Sequence, residues 1–115
     1  MQSSRRFEEV ITDALEANEI IGPVHLYIGQ EAIAAGVINL LRKDDYFLGG
    51  HRAHGPYIAK GGSLDSLASE IFARENGCSG RRGGSMHLTN PDIGVLGTVP
   101  IVGAAIPLAT VSMGF

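Results

Sequence analysis

The four histidines of this chain fall in three short segments punctuated by glycine: His25 in HLYIGQEA, His51 and His54 in GGHRAHG, and His87 in RRGGSMH. Histidine is the side chain that changes charge near neutral pH, and none of the four sits inside a regular amphipathic repeat. Two of the segments also carry arginine, Arg52 between the paired histidines and Arg81 and Arg82 ahead of His87. The planar fork of arginine matches phosphate or carboxylate oxygens. These residue types in this grouping point to an anionic ligand and to proton transfer.

Each segment also has a plainer reading. Arg52 could pair with a carboxylate in a surface turn. His25 could pack between Val24 and Leu26 and satisfy a backbone carbonyl. Gln30 and Glu31 could serve only as helix caps, and for Arg81 a solvated turn is the better reading. GGHRAHG is neither a Walker motif nor GxGxxG. Cys78 has no nameable partner to activate it and reads as an incidental small residue. No two histidines stand four apart, and no Asp/Glu/His triplet has ligand spacing, so no metal site is expected within the chain.

The elements that must position these residues follow from periodicity. Phe7, Val10, Ile11, Ala14 and Leu15 keep helical spacing, with Glu8, Glu9, Thr12, Asp13 and Glu16 assigned to the opposite, polar face. Asn18 through Pro23 ends that helix. A second helix is expected from about Gly29 to Leu41, with Ile33, Val37, Leu40 and Leu41 on one side and Glu31 in the first turn, where a negative charge suits the helix dipole. Lys43, Asp44 and Asp45 make a polar turn. Tyr46 to Leu48 reads as a short buried strand leading into Gly49 and Gly50, so GGHRAHG would sit at a strand's carboxyl end, where α/β folds bind ligands. Glycines 49, 50 and 55 would let the backbone approach that ligand. A short helix is expected over Pro56 to Lys60. Ser63 caps a third amphipathic helix carrying Leu64, Leu67, Ala68, Ile71 and Phe72. Asn76 to about Leu96 reads as a long glycine-rich functional loop, and Ile101 to Phe115 begins another buried element.

Bulk numbers set the class. The chain has 115 residues, enough for one domain or part of one. With 44% hydrophobic and 18% charged residues the composition is globular. A net charge of −3 disfavours nucleic acid as a partner. The 16 glycines are about twice the usual share. The single cysteine excludes an internal disulfide and fits a reducing compartment. No long apolar core marks the N-terminus as a signal peptide, and Glu8, Glu9 and Asp13 argue against a mitochondrial transit peptide. The apolar run from Val99 to Phe115 is broken by Gly103, Pro107, Thr110, Ser112 and Gly114, so no membrane span is expected.

With these segments assembled, the chain resembles a known family. HLYIGQEAIAAG, GGHRAHGPYIAKG, SGRRGGSMHLTNPDIGVLG and IVGAAIPLA, in this order, are similar to the alpha subunits of the thiamine-diphosphate-dependent 2-oxo acid dehydrogenases, the pyruvate- and acetoin-dehydrogenase type. The resemblance runs from about Arg5 to Phe115. It implies an α/β thiamine-diphosphate-binding fold with a mostly parallel sheet, of which residues 1–115 form the N-terminal part of a single domain. It implies that Arg52 and the preceding His51 bind the cofactor, and that His25 faces the substrate. His25, His54 and His87 would bind substrate and manage protons, with the division among them open. Pro100 and Val102 fall where backbone touches the cofactor's pyrimidine and thiazolium region. Many members have glycine where this chain has Pro100, which removes an N–H donor and fixes φ.

The resemblance further implies magnesium, held by a Gly-Asp-Gly motif and a later Asn expected beyond Phe115. It implies a beta subunit that completes the site, a lipoyl-bearing acyltransferase as acyl acceptor, and a small-molecule substrate such as a 2-oxo acid or acetoin; the GGHRAHG form leans toward the acetoin-type branch. A bacterial cytoplasmic location is expected. By itself the piece is expected to hold cofactor weakly or not at all. The rivals are a non-catalytic remnant or assembly module that pairs with a partner subunit, and a general phosphate-binding α/β domain.

Overall fold

The computed structural model describes residues 1–114. Its elements are α1 (Gln2–Glu16), α2 (Glu31–Val37) running into a 3-10 turn (Ile38–Leu40), β1 (Phe47–Gly49), α3 (His54–Ala59), α4 (Leu64–Ile71), a 3-10 turn (Pro91–Ile93), β2 (Val95–Thr98) and α5 (Ala105–Met113). The two strands pair in parallel, Phe47 against Val95, Leu48 against Gly97 and Gly49 against Thr98, with an irregularity between Phe47 and Leu48. Parallel neighbours need a crossover, and α3, α4 and the glycine-rich loop supply it. The expected α/β class is therefore present.

One apolar core ties the layers together. Ile11 and Ala14 of α1, Ala53 and Tyr57 around α3, Leu67 and Ile71 of α4, Leu88, and Val95 of β2 are all buried in it. Ser63 caps α4 as expected, its hydroxyl accepting from the Ser66 amide at 3.3 Å.

Several expectations need correction. Glu8, assigned to the polar face of α1, is fully buried, and Val10 is half exposed. The inward stripe is Ser4, Glu8, Ile11 and Ala14, because Glu8 has a buried partner on α3. The second helix is shorter than expected and faces the other way. Ala34 and Ile38 turn inward while Ile33, Val37 and Leu40 are exposed. Its small residues let α2 lie against α3, and an ion pair from Glu31 to Arg5 fixes its rotation. The first strand begins at Phe47 and leaves Tyr46 exposed. The short helix starts at His54, not Pro56. The supposed loop ends in β2, which starts at Val95. The last element is a helix, but it is not buried: Ile106, Val111 and Met113 are all more than half exposed. Phe115, the end of that run, lies outside the described residues. Gly49 and Gly55 do not yield space to a ligand; a side chain there would collide with the rings of Phe47 and Tyr27 respectively.

Candidate active site

The parallel register places two of the sequence motifs at one end of the sheet. Past Gly49 the chain runs into His51 and Arg52; past Thr98, its partner, it runs into Pro100 and Val102. The Val99 amide continues the ladder to the Gly49 carbonyl at 3.0 Å. This is the carboxyl end of the strands, the usual ligand crevice of α/β sheets. Pro100 is exposed and Val102 is 79% exposed, so this edge is open.

The HLYIG segment comes to the same place. It has no regular structure, and it is held by side chains from elsewhere. The rings of His25 and His51 meet edge to face, centroids 5.1 Å apart. The exposed Arg52 guanidinium donates to the Leu26 carbonyl. The Ser85 hydroxyl accepts the His25 amide at 3.0 Å. Nδ1 of His25 is buried without a partner among the described residues, a polar atom of the kind that awaits a ligand or water. Downstream, the Glu31 carboxylate takes the Gly29 amide on both oxygens at 3.1 Å and the Arg5 fork at 2.6 and 3.2 Å. The Arg5 contact, then the amides at the start of α2, hold the Glu31 carboxyl down at about 2.

His54 lies beneath this surface rather than on it. It is fully buried, with Nδ1 2.7 Å from Glu8 Oε1 and Nε2 2.9 Å from Ser85 Oγ. It also abuts the Phe7 ring edge to face. His87 is exposed, and its Nδ1 turns back to the Gly83 carbonyl of its own loop at 3.3 Å. The site thus gathers His25, His51 and Arg52, sets His54 under them, and leaves His87 outside the cluster.

The glycine-rich loop is built around an acid. Glu70, with no exposed surface, accepts amides from Ser79 and Arg81 on one oxygen at 2.8 and 3.0 Å, and from Gly83 and Gly84 on the other at 2.7 and 3.2 Å. Converging amides of this kind form an anion nest. Here the anion is the chain's own, so those amides are not free for a phosphate. The Arg81 side chain pairs with Glu75 at 3.4 Å and Arg82 Nε donates to the Ser79 carbonyl at 3.3 Å. Burial pushes the Cys78 thiol up, the opposite of the shift that activates a nucleophile.

Three residues that shape the site, Glu8, Glu70 and Ser85, escaped the sequence reading. Two had a signal. Glu8 stands four residues after Ser4 and three before Ile11, and Glu70 three after Leu67, so each is a carboxylate inside an inward sector. An apolar groove of about 580 Å³ between α1 and α4, lined by Phe7, Val10, Leu64 and Phe72, holds none of the histidines. Among the described residues no group of His, Cys, Asp or Glu is arranged to hold a metal ion, and no helix is long and apolar enough to cross a membrane.

Comparison with known proteins identifies the family of the chain. A family model described as dehydrogenase E1 component matches residues 1–115. The alpha subunit of acetoin:2,6-dichlorophenolindophenol oxidoreductase from Bacillus subtilis is 41% identical over 95% of this chain and 33% of its own length. The pyruvate dehydrogenase E1 component alpha subunit of Porphyra purpurea is 38% identical over 96% of the chain and 32% of its own length. A mitochondrial pyruvate dehydrogenase E1 alpha subunit of Arabidopsis thaliana is 41% identical over 94% of the chain and 28% of its own length. The chain therefore spans about a third of the relatives it matches.

Proposed function

The chain belongs to the dehydrogenase E1 component family, and from that premise we propose that it forms the N-terminal part of a thiamine-diphosphate-dependent dehydrogenase alpha subunit. The observation that carries this reading is the shared carboxyl end of β1 and β2, where His51, Arg52, Pro100 and Val102 emerge together beside His25.

The residues present fit the cofactor. Arg52 is exposed, and a guanidinium has five donors, so the Leu26 carbonyl leaves most of the fork for diphosphate oxygens. His51 adds a donor beside it. Pro100 and Val102 offer backbone to the cofactor's rings, although Pro100 lacks an N–H. His25, with its buried unpartnered Nδ1, faces the substrate. His87 supplies a second proton-handling group from the adjoining loop, and His54 acts from beneath through its hydrogen bonds. The chemistry that bound thiamine diphosphate supplies is a carbanion nucleophile and an electron sink. The diphosphate carries more charge than one arginine balances, so the magnesium that accompanies it takes its ligands from beyond Phe115.

The complete protein, in this reading, is an oxidoreductase on the thiamine-diphosphate-binding fold. It cleaves a pyruvate-like 2-oxo acid or acetoin with a beta subunit completing the site, and passes the acyl group to a lipoyl-bearing acyltransferase. It works in the bacterial cytoplasm, although relatives include mitochondrial and chloroplastic proteins. The test is turnover of the full-length alpha–beta assembly with pyruvate, a branched 2-oxo acid and acetoin. Activity that requires both thiamine diphosphate and magnesium is expected. Cofactor binding indifferent to magnesium would contradict the reading.

A further inference from the structure

The segment that carries His25 has neither a helix nor a ladder to hold it, so its placement must come from side chains. The polar contact made by its own amide is to Ser85 Oγ, 3.0 Å away. Ser85 sits sixty residues further along the chain and is 4% exposed. Its hydroxyl therefore works without water, and both its functions have partners. The oxygen accepts from His25 N–H, and the proton has an acceptor in His54 Nε2 at 2.9 Å. The second His54 nitrogen lies 2.7 Å from Glu8 Oε1. With Nδ1–H donating to the carboxylate, Nε2 carries the lone pair that the serine proton needs. Nε2 also lies 3.2 Å from the Ser85 carbonyl, so in either protonation state of the ring its two nitrogens tie Glu8 Oε1 to Ser85.

Acid, histidine and serine in this order are the components of an activated nucleophile. Burial decides against that role: Ser85 is 4% exposed and its hydroxyl already accepts an amide, so no substrate reaches its oxygen. The line instead ends on the backbone of the histidine proposed to face the substrate. The serine is itself set in place by its loop, whose Ser79, Arg81, Gly83 and Gly84 amides are fastened to Glu70.

We propose that Ser85 is a positioning residue for His25, taking its own orientation from the buried Glu8–His54 pair. The functional part of this inference rests on the reading that puts His25 at the substrate. The ligand is not bound by Ser85, Glu8 or His54. They act on where the His25 ring stands.

The test uses the full-length alpha subunit assembled with its beta subunit, with thiamine diphosphate and magnesium, and with pyruvate and acetoin as substrates. Two readouts are taken: kinetic constants, and the ring ¹H–¹⁵N resonances of His25 with and without cofactor, assigned by His25→Gln. Ser85→Ala is expected to lower kcat about tenfold to a hundredfold, the scale of a small misplacement near the reacting centre, while cofactor affinity stays within about twofold. It is also expected to shift the His25 resonances in cofactor-free protein. Glu8→Gln should move both readouts the same way, and Ser85→Thr, which keeps the hydroxyl, should restore most of each. His25 resonances unmoved by Ser85→Ala would overturn the proposal. So would kcat, cofactor affinity and melting temperature falling together in Ser85→Ala and Ser85→Thr alike, which marks a purely structural residue. If the wild-type assembly turns over no substrate, the functional reading fails by itself, and the resonances still decide whether Ser85 positions His25.

Discussion

A carboxylate taken wholly out of water needs several hydrogen bonds or a cation to stay charged. Among the described residues no cation pairs with Glu70, whose oxygens instead take four backbone amides. An amide side chain of the same shape offers one acceptor oxygen and two unwanted donors. Glu70→Gln is therefore expected to destabilise the full chain by roughly 2–4 kcal/mol, the loss of two or so charge-assisted hydrogen bonds, read by urea unfolding. An unchanged midpoint would mean that the loop holds itself. At this scale the sequence was only partly legible. The histidines and Arg52 could be singled out because type and glycine context mark them locally. Glu8 and Glu70 carry only the weaker signal of a carboxylate inside an inward helical sector, because their partners lie 46 residues away for Glu8 and 9 to 14 residues away for Glu70. The burial of His54 is illegible for the same reason: its neighbours in sequence are turn formers, while its neighbours in space are α1 and the loop.

Helix start signals and strong periodicity were the legible part among the elements. Ser63 before Leu64, Leu67 and Ile71 predicts α4, and the structure contains it with its cap. The face of α2 is not legible in the sequence, because its larger apolar residues, Ile33, Val37 and Leu40, are the exposed ones. Rotation was decided instead by the Arg5–Glu31 pair between α1 and α2. That pair makes a prediction about pH. The Glu31 carboxyl is held at about 2, against 4.5 for the free group. A carboxyl depressed on folding stabilises the native state above its unfolded value, and that stability is lost as pH falls toward the folded value. The melting temperature of the full chain should therefore fall more steeply between pH 4.5 and about 2 in the wild type than in Glu31→Gln. Parallel curves would rule out this pair as an acid-sensitive tie. The second strand was hidden because Val95 to Thr98 is short, contains Gly97 and follows a glycine-rich stretch. Only its pairing with β1 makes it a strand.

For the molecule as a whole, the α/β class was readable from alternating helix and strand signals, while the exposure of α5 was not. An apolar run looks buried in any sequence. In the described residues Ile106 is 73% exposed and Ile101, Val102 and Met113 are also open, which leaves the carboxyl end of the sheet flanked by uncovered apolar surface. That end is the proposed seat of the cofactor's diphosphate, with Arg52 as its fixed charge. The direct measurement is calorimetric titration of thiamine diphosphate, with magnesium present, into the full-length alpha–beta assembly carrying Arg52→Met. Loss of a charge-assisted fork predicts a dissociation constant raised about tenfold to a hundredfold, with Arg52→Lys falling between. A constant within about twofold of the wild type, where such a contact should cost far more, would contradict it.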